Sequence, residues 1–370
     1  MNKIPLFKIY WDEDDIKAVG DSIRRGMNWA LGPNIEEFEK KLAEYLGVDY
    51  VLTFNSGTSA LHSALMAYGI KEGDEVIVPS FTFIATSNAV LMVKAKPVFA
   101  DIEEERYGLD PEDVKNKITS KTKAIIPVHY GGCPCKISEL KEIAEKSNIL
   151  LIEDAAESFG AKENGKLVGT FGDSAMFSLC QTKVFTTGEG GFMVVKSRDL
   201  YEKMKLLRSH GRAESMDYVS LGFNFRMPDM IAALGISQLK KVNELINARR
   251  KHSERMTILL SDVEEIIIPI FPENIFHVFQ EYYIRIKGGK IIRDELKKYL
   301  AEKGIGTRIS FPPIHKTKFY RETLGYNDIL KNTERIADCA LTLPLYPSLT
   351  NEEIEYIASE IKNFFKKAMR

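Results

Sequence analysis

Lys183 ends the run Ser178-Leu-Cys-Gln-Thr-Lys183 and precedes the glycine-rich turn Gly188-Glu189-Gly190-Gly191. A lysine in an apolar pocket, or beside another cation, loses proton affinity and can form a Schiff base with a carbonyl cofactor. Most lysines are solvated surface charges. Here the glycine-rich surroundings and an acid 29 residues upstream (183 − 154) set this one apart. That acid belongs to Glu153-Asp154, which closes an apolar run. An acidic residue at a strand's carboxyl end stands where open α/β sheets bind ligands; capping a helix is the competing role. Asn55-Ser56-Gly57-Thr58-Ser59 also follows an apolar run and opens a helical pattern. Free N–H groups and hydroxyls at a helix start make an anion site, although an ordinary capped turn uses the same residues. Pro79-Ser80-Phe81-Thr82-Phe83 sets aromatics just past a strand, where they form either one wall of a cofactor slot or core.

Other chemistries are poorly supplied. Cys133-Pro-Cys135 offers two thiols and no second pair, which suits neither zinc nor a CxxC redox site. Cys180 reads as a nucleophile or, more simply, a small core residue. The six histidines form no HExxH or similar spacing, so no metal site is expected. The absence of GxGxxG and of GxxxxGK[ST] argues against a dinucleotide-binding dehydrogenase and a P-loop enzyme.

Regular elements must carry these residues. Phe38, Leu42 and Leu46 recur at i, i+4, i+8, an amphipathic helix. Apolar strands are read at 49–55, 75–79, 97–101, 123–130 and 149–155, alternating with helical stretches. That alternation indicates βαβ units and a mostly parallel sheet. Two more strands, at 174–179 and 191–196, flank the glycine-rich turn, and helices follow near 198–210 and 228–257. Beyond about 258 the pattern shifts to strands in EEIIIPI and FQEYYIRI, a helix in IIRDELKKYLAEKG and a closing helix. The expected division is a large domain over 1–250 and a smaller α+β domain over 251–370.

Composition sets the outer limits. The 370 residues are 44 % hydrophobic and 28 % charged, with 51 Lys+Arg against 52 Asp+Glu. This is a globular balance with no basic excess for nucleic acid or anionic lipid. No apolar run approaches the roughly 20 residues of a membrane helix, and the first residues lack a signal-peptide core. Four scattered cysteines make no disulfide framework. The expectation is a cytoplasmic protein without membrane or nucleic-acid partners.

Taken in order, the segments LGPNIEEFEKKLAEYLGV, NSGTSALHSAL, GDEVIVPSFTFIATSNAV, PVHYGG, IEDAAESFGA, VGTFGDSAMFSLCQTKVFTTGEGG, LGFNFRMPDMIAALGISQL and PLYPSLTNEEIE resemble the DegT-type nucleotide-sugar aminotransferases. The resemblance spans nearly the whole chain. It implies the pyridoxal-phosphate fold type I, a homodimer with shared active sites, and pyridoxal 5′-phosphate alternating with pyridoxamine phosphate. By that resemblance Lys183 is the Schiff-base lysine and proton shuttle, and Asp154 faces the pyridine nitrogen. Phe83 stacks on the ring, and Gly57, Thr58 and Ser178 cup the phosphate. Asn224 reaches a phosphate across the subunit interface. Glu157 lies beside the cofactor and, with TTGEGG, is most like perosamine-synthase-type enzymes. His315, in FPPIHK, matches a histidine near the substrate. The implied reaction takes the amino group of L-glutamate to C4 of a nucleotide-linked 4-keto-6-deoxy sugar by a ping-pong route. A 3-keto sugar and a pyridoxal-phosphate-binding regulator are the alternatives; the 3-dehydratase branch carries His where this chain has Lys183.

Overall fold

In a computed structural model, which describes residues 3–368, the central sheet is built from seven strands. They are β1 (Tyr50–Phe54), β2 (Glu75–Pro79), β3 (Lys96–Ala100), β4 (Thr122–Ile125), β5 (Leu150–Asp154), β8 (Ser174–Ser178) and β9 (Gly191–Val195). Between β5 and β8 lie two short strands, β6 (Lys162–Glu163) and β7 (Lys166–Leu167). The order across the sheet is β1-β9-β8-β5-β4-β2-β3. From β8 to β3 neighbours run parallel, whereas β9 is antiparallel to both β8 and β1. The mostly parallel sheet is therefore present, and the glycine-rich turn joins its two antiparallel strands. Strands buried on both faces read as continuous apolar runs, which is why the sequence exposes them.

Helices cover the sheet: α1 (Glu13–Arg24), α2 (Pro33–Leu46), α3 (Gly57–Ala67), α4 (Ala85–Met92), α5 (Pro111–Lys117), α6 (Ile137–Ser147), α7 (Arg198–Arg208) and α8 (Asp229–Leu260). Phe38, Leu42 and Leu46 of α2 are buried in one cluster with Leu239, Val242 and Ile246 of α8. A Cβ on Gly235 would lie 2.5 Å from the Phe38 ring, so the two helices approach closely there. Gly47, at φ 67°, ends α2 in the left-handed conformation.

A second sheet, β10-β12-β14-β13, is wholly antiparallel. Its strands are β10 (Ile266–Ile267), β12 (Tyr282–Ile286), β13 (Arg308–Ile309) and β14 (Ala340–Leu343). With α9 (Gly289–Glu302), α10 (Lys331–Cys339) and α11 (Asn351–Ala368) it forms an α+β unit, whose own core includes Tyr282, Ile284, Leu296, Leu341 and Ile357. This is the α/β fold with a smaller α+β portion that the sequence indicates. One strand is shorter than expected: β4 stops at Ile125 rather than 130. Pro127 has no N–H to give, and beyond it the chain keeps single bonds, Asp154 N–H to the Pro127 carbonyl (2.9 Å) and His129 N–H to the Asp154 carbonyl (3.1 Å). A third sheet, β11-β6-β7 with β11 at Ile275–Phe276, has two-residue strands, too short for any periodicity to announce.

The amino-terminal arm is pinned to the second unit. Ile4 is buried, donates to the Gly304 carbonyl (2.8 Å) and accepts from Gly306 N–H (2.8 Å). The arm then runs back toward the Lys183 loop, where Phe7, Lys8, Ile9 and Tyr10 line a cavity of about 10 Å³ with Lys183.

Candidate active site

Strand β5 delivers two carboxylates, and strand pleating turns them to opposite faces. Glu153 is fully buried and accepts N–H bonds from Gly169 (2.6 Å), Phe171 (2.8 Å) and Gly172 (2.7 Å), with His129 Nε2 3.0 Å away. Burial pushes its carboxyl pKa up, but the His129 hydrogen bond and charge and the backbone donors outweigh that, leaving it below the usual range. Glu153 therefore holds a loop.

Asp154 faces the other way. Its Oδ2 accepts from Thr86 Oγ1 at 2.7 Å and its Oδ1 from Ala156 N–H at 3.2 Å. Burial raises its carboxyl above the ordinary range; Thr86, Ala156 and the charge of Lys183 oppose this, and Glu157 adds to it. A cationic ring nitrogen placed against this carboxylate would supply the counter-charge that burial withholds.

Lys183 follows β8, and its Nζ donates to Glu157 Oε1 at 3.3 Å. Glu157 Oε2 in turn accepts the N–H of Gly131 at 2.8 Å. Both side chains are largely buried. The lysine loop closes on the glycine-rich turn: Leu179 N–H donates to the Gly190 carbonyl (2.9 Å), and Thr187 N–H to the Leu179 carbonyl (3.0 Å). Gly188 at φ 82° and Gly190 at φ 156° occupy the backbone region that favours glycine.

The start of α3 meets the ends of β8 and β9. Ser56 caps the helix by accepting from Ser59 N–H at 3.1 Å. A helix's first turn has no internal acceptors, so the N–H groups of Gly57 and Thr58 remain for an anion. Space is tight: a Cβ on Gly191 would lie 2.4 Å from Gly57 N, and one on Gly57 would lie 3.4 Å from Ser178 Cβ. Gly57 and Ser178 thus meet at one cradle, and Thr58 follows Gly57 in the first turn of α3. Phe83, 57 % exposed, sits one turn before Thr86, its ring 5.6 Å from that of Phe311. Together the anion cradle, the buried carboxylate, the paired lysine and the open aromatic ring fit a phosphorylated, carbonyl-bearing pyridine.

Of two further expected site residues, one borders the cradle and one lies apart. Asn224 is exposed, and its carbonyl accepts from Asn55 Nδ2 at 3.4 Å, which keeps it near the cradle of its own chain. His315 is buried beyond β2, its Nδ1 2.7 Å from Ser80 Oγ and its Nε2 3.3 Å from Glu334 Oε1. No hydrogen bond described for it reaches Lys183, Glu157 or Asp154. Burial lowers its pKa, with Glu334 opposing. Thr86 is the residue that sequence reasoning missed; its signal was a hydroxyl in the stretch TFIATSNAV that follows Phe83. Cys133 and Cys135 are buried, their thiols pushed well up by burial. Among the described residues no group of three or more His, Cys, Asp or Glu is arranged to hold a metal ion.

The sequence profile of the DegT/DnrJ/EryC1/StrS aminotransferase family matches residues 10–362. The GDP-perosamine synthase of Escherichia coli O157:H7 is 38 % identical over 368 residues, 99 % of each chain. A pleiotropic regulatory protein of Geobacillus stearothermophilus is 35 % identical over 357 residues, 95 % of each. Among solved structures, Spr1654 of Streptococcus pneumoniae is 28 % identical. Its pyridoxamine-phosphate form superposes at a TM-score of 0.94 over 99 % of this chain and 98 % of its own. Its pyridoxal-phosphate form superposes at 0.93 over 99 % of each.

Proposed function

We propose that this chain, which belongs to the DegT/DnrJ/EryC1/StrS aminotransferase family, moves the amino group of L-glutamate onto C4 of a nucleotide-linked 4-keto-6-deoxy sugar. The observation that carries this reading is the pairing of Lys183 with Glu157 beside the Asp154–Thr86 bond, across from the α3 cradle. The likeness to a GDP-perosamine synthase along the whole chain supports the choice of sugar. The cofactor of this reading is pyridoxal 5′-phosphate. When bound it supplies a carbonyl that captures amines and a ring that accepts electron density from the reacting carbon.

Gly57, Thr58 and Ser178 would hold the phosphate, Phe83 would cover the ring and Asp154 would keep the ring nitrogen protonated. Lys183 removes the proton from the α-carbon of the donor. It would pass that proton to the cofactor and, in the second half-reaction, carry a proton from the cofactor to C4 of the sugar, so one amine serves as base and acid in each half. Glu157 orients that amine through its fixed bond to Gly131. The order is ping-pong: 2-oxoglutarate leaves before the keto sugar enters. Residues 1–250 form the cofactor-binding domain in this reading and 251–370 the smaller one. Two chains share each site, with Asn224 crossing between them and His315 near the sugar. Large apolar side chains left exposed, Trp11, Met27, Trp29, Tyr218 and Leu221 among them, support a homodimer. No described helix is long and apolar enough to cross a membrane, and the reading places the enzyme in the cytoplasm.

The test is to bleach the purified holoenzyme with L-glutamate, remove the donor and add 4-keto and 3-keto nucleotide sugars singly. Return of the absorption band with a 4-keto sugar is the expected result. Return with a 3-keto sugar alone would replace C4 by C3, and a band that glutamate never bleaches would overturn the aminotransferase reading for this chain. The regulatory relative is a second reading, and it predicts that last outcome.

A further inference from the structure

The chain segment 277–281, which leads into β12, touches both members of the Lys183–Glu157 pair. Val278 N–H donates to the Gly132 carbonyl and Glu281 N–H to the Gly131 carbonyl, each at 3.1 Å. Gly131 N–H in turn holds Glu157. On the other side, Gln280 Nε2 donates to the carbonyl of Thr182, the residue before Lys183. One segment therefore fixes the acid of the pair through Gly131 and the amine through Thr182. The fit depends on two glycines in the left-handed region, Gly131 at φ 62° and Gly132 at φ 96°. A Cβ on Gly132 would lie 2.8 Å from Gln280 N.

This segment is held at a cost. Phe279 sits at φ 50°, a conformation that bulky side chains rarely adopt. Gln280 is buried, and its Oε1 meets no donor among the described residues. A buried amide with an unmet carbonyl is more costly than an apolar side chain of the same length. Costs of this kind gather where function needs a fixed geometry. Arg249 of α8 pins the backbone at the same point, its Nη1 donating to the carbonyls of Gln280 (3.2 Å) and Leu345 (2.9 Å). Among the described residues the Thr182 carbonyl has no other donor. The backbone of 181–184 makes no other hydrogen bond to a distant part of the chain; Lys183 N–H closes locally on the Cys180 carbonyl at 2.9 Å. We propose that Gln280 is a positioning residue for Lys183: its bond to Thr182 sets the backbone from which the amine reaches Glu157 and the donor's α-carbon. This rests on the aminotransferase reading above. The role requires an N–H donor at that point and not merely the bulk of the side chain. A displacement of about 1 Å at a reacting group costs on the order of 10²-fold in rate.

The test compares full-length wild-type, Gln280→Met and Gln280→His holoenzymes. Gln280→Met keeps the length and removes the donor. Gln280→His restores a donor, because an imidazole Nε2 stands as many bonds from Cα as the amide nitrogen does. Each protein is assayed for kcat and KM with L-glutamate, and hydrogen exchange over 181–184 is followed by mass spectrometry. Gln280→Met should lose about 10- to 100-fold in kcat, with KM for glutamate within about twofold of wild type. Its 181–184 amides should exchange several-fold faster, while the loop 169–172 keeps its wild-type rate. Gln280→His should recover both properties. A wild-type kcat in Gln280→Met overturns the proposal, as does a kcat loss without faster exchange. An equal loss in Gln280→Met and Gln280→His also overturns it, assigning the effect to packing, and a change confined to KM does so by making Gln280 a substrate contact. If Gln280→Met fails to fold, Gln280→Glu replaces it, since its carboxylate keeps the shape without the donor; unchanged kcat and exchange then overturn the assignment. The two readings fail differently. A wild type that glutamate does not bleach sinks the reaction and leaves the exchange comparison standing, whereas a bleached wild type with an indifferent Gln280→Met sinks only the positioning role.

Discussion

Asp154 works under opposed demands. Its carboxyl is raised in the folded chain by burial, so the native state holds that proton more tightly than the unfolded state. The stability this contributes is present at low pH and is lost as pH rises through the unfolded carboxylate range toward the native value. Asp154→Asn removes the penalty. The cofactor-free variant should melt at a higher temperature than cofactor-free wild type at pH 7, while turnover falls by at least about 10²-fold. Scanning calorimetry beside a transamination assay would check both, and a variant less stable at pH 7 would contradict the burial argument. Lys183→Ala should lose about 10²- to 10⁴-fold in rate with circular dichroism unchanged; retained turnover would remove Lys183 from its role. At this scale the sequence was readable for position: Asp154 ends β5 and Lys183 follows β8, as the apolar runs indicated. It was silent on Thr86, because a hydroxyl in a helix has many ordinary uses. Strand pattern alone did not divide Glu153 from Asp154, which the family resemblance singled out, since the loop 169–172 that holds Glu153 is brought to β5 only by the fold.

Helix α3 and strands β8 and β9 make the cradle only because two backbones nearly touch. Gly191→Ala puts a methyl 2.4 Å from Gly57 N. The helix start would have to shift, costing about 1–3 kcal/mol and weakening cofactor binding about tenfold or more; a cofactor titration by absorbance would measure this. The segment before β12 makes a different prediction. His277 is buried between Phe271 and Phe279, with Nδ1 accepting Phe279 N–H at 2.7 Å. Burial, then the charge of Arg250, lowers its pKa to about 3. The unfolded chain takes up that proton near the ordinary histidine value and the folded chain does not, so stability is lost as pH falls below about 6.5. His277→Asn keeps an acceptor for an N–H two residues on and cannot titrate. Its acid limb of unfolding should be shallower, and an unchanged limb would assign acid lability elsewhere. The βαβ elements were legible because their apolar runs and turns alternate. The sheet β11-β6-β7 was not, since two-residue strands are set by the tertiary contact rather than by local pattern.

Across the molecule, α8 links the two units. Its 32 residues extend about 48 Å, and it contributes Leu239 and Val242 to the core beneath the large sheet and Met256 and Leu260 to the core of the smaller one. A boundary at residue 250 falls inside this rod, which is why composition alone could not sharpen it. Both tryptophans of the chain, Trp11 and Trp29, are exposed at 61 % and 46 %. If two chains pair over this surface, light scattering should give twice the chain mass. Dilution should then red-shift tryptophan emission as the indoles meet water. A monomer at all concentrations would leave Asn224 without a second chain to reach.

The pinned arm has a practical side for anyone producing the protein. Ile4 is locked between Gly304 and Gly306, and within a few residues the same strand of chain passes Lys183. An affinity handle fused ahead of Ile4 would load the anchor from which the chain runs to the Lys183 loop. A polyhistidine placed there is a poor choice for activity work, and one fused behind α11 leaves the arm's anchorage untouched.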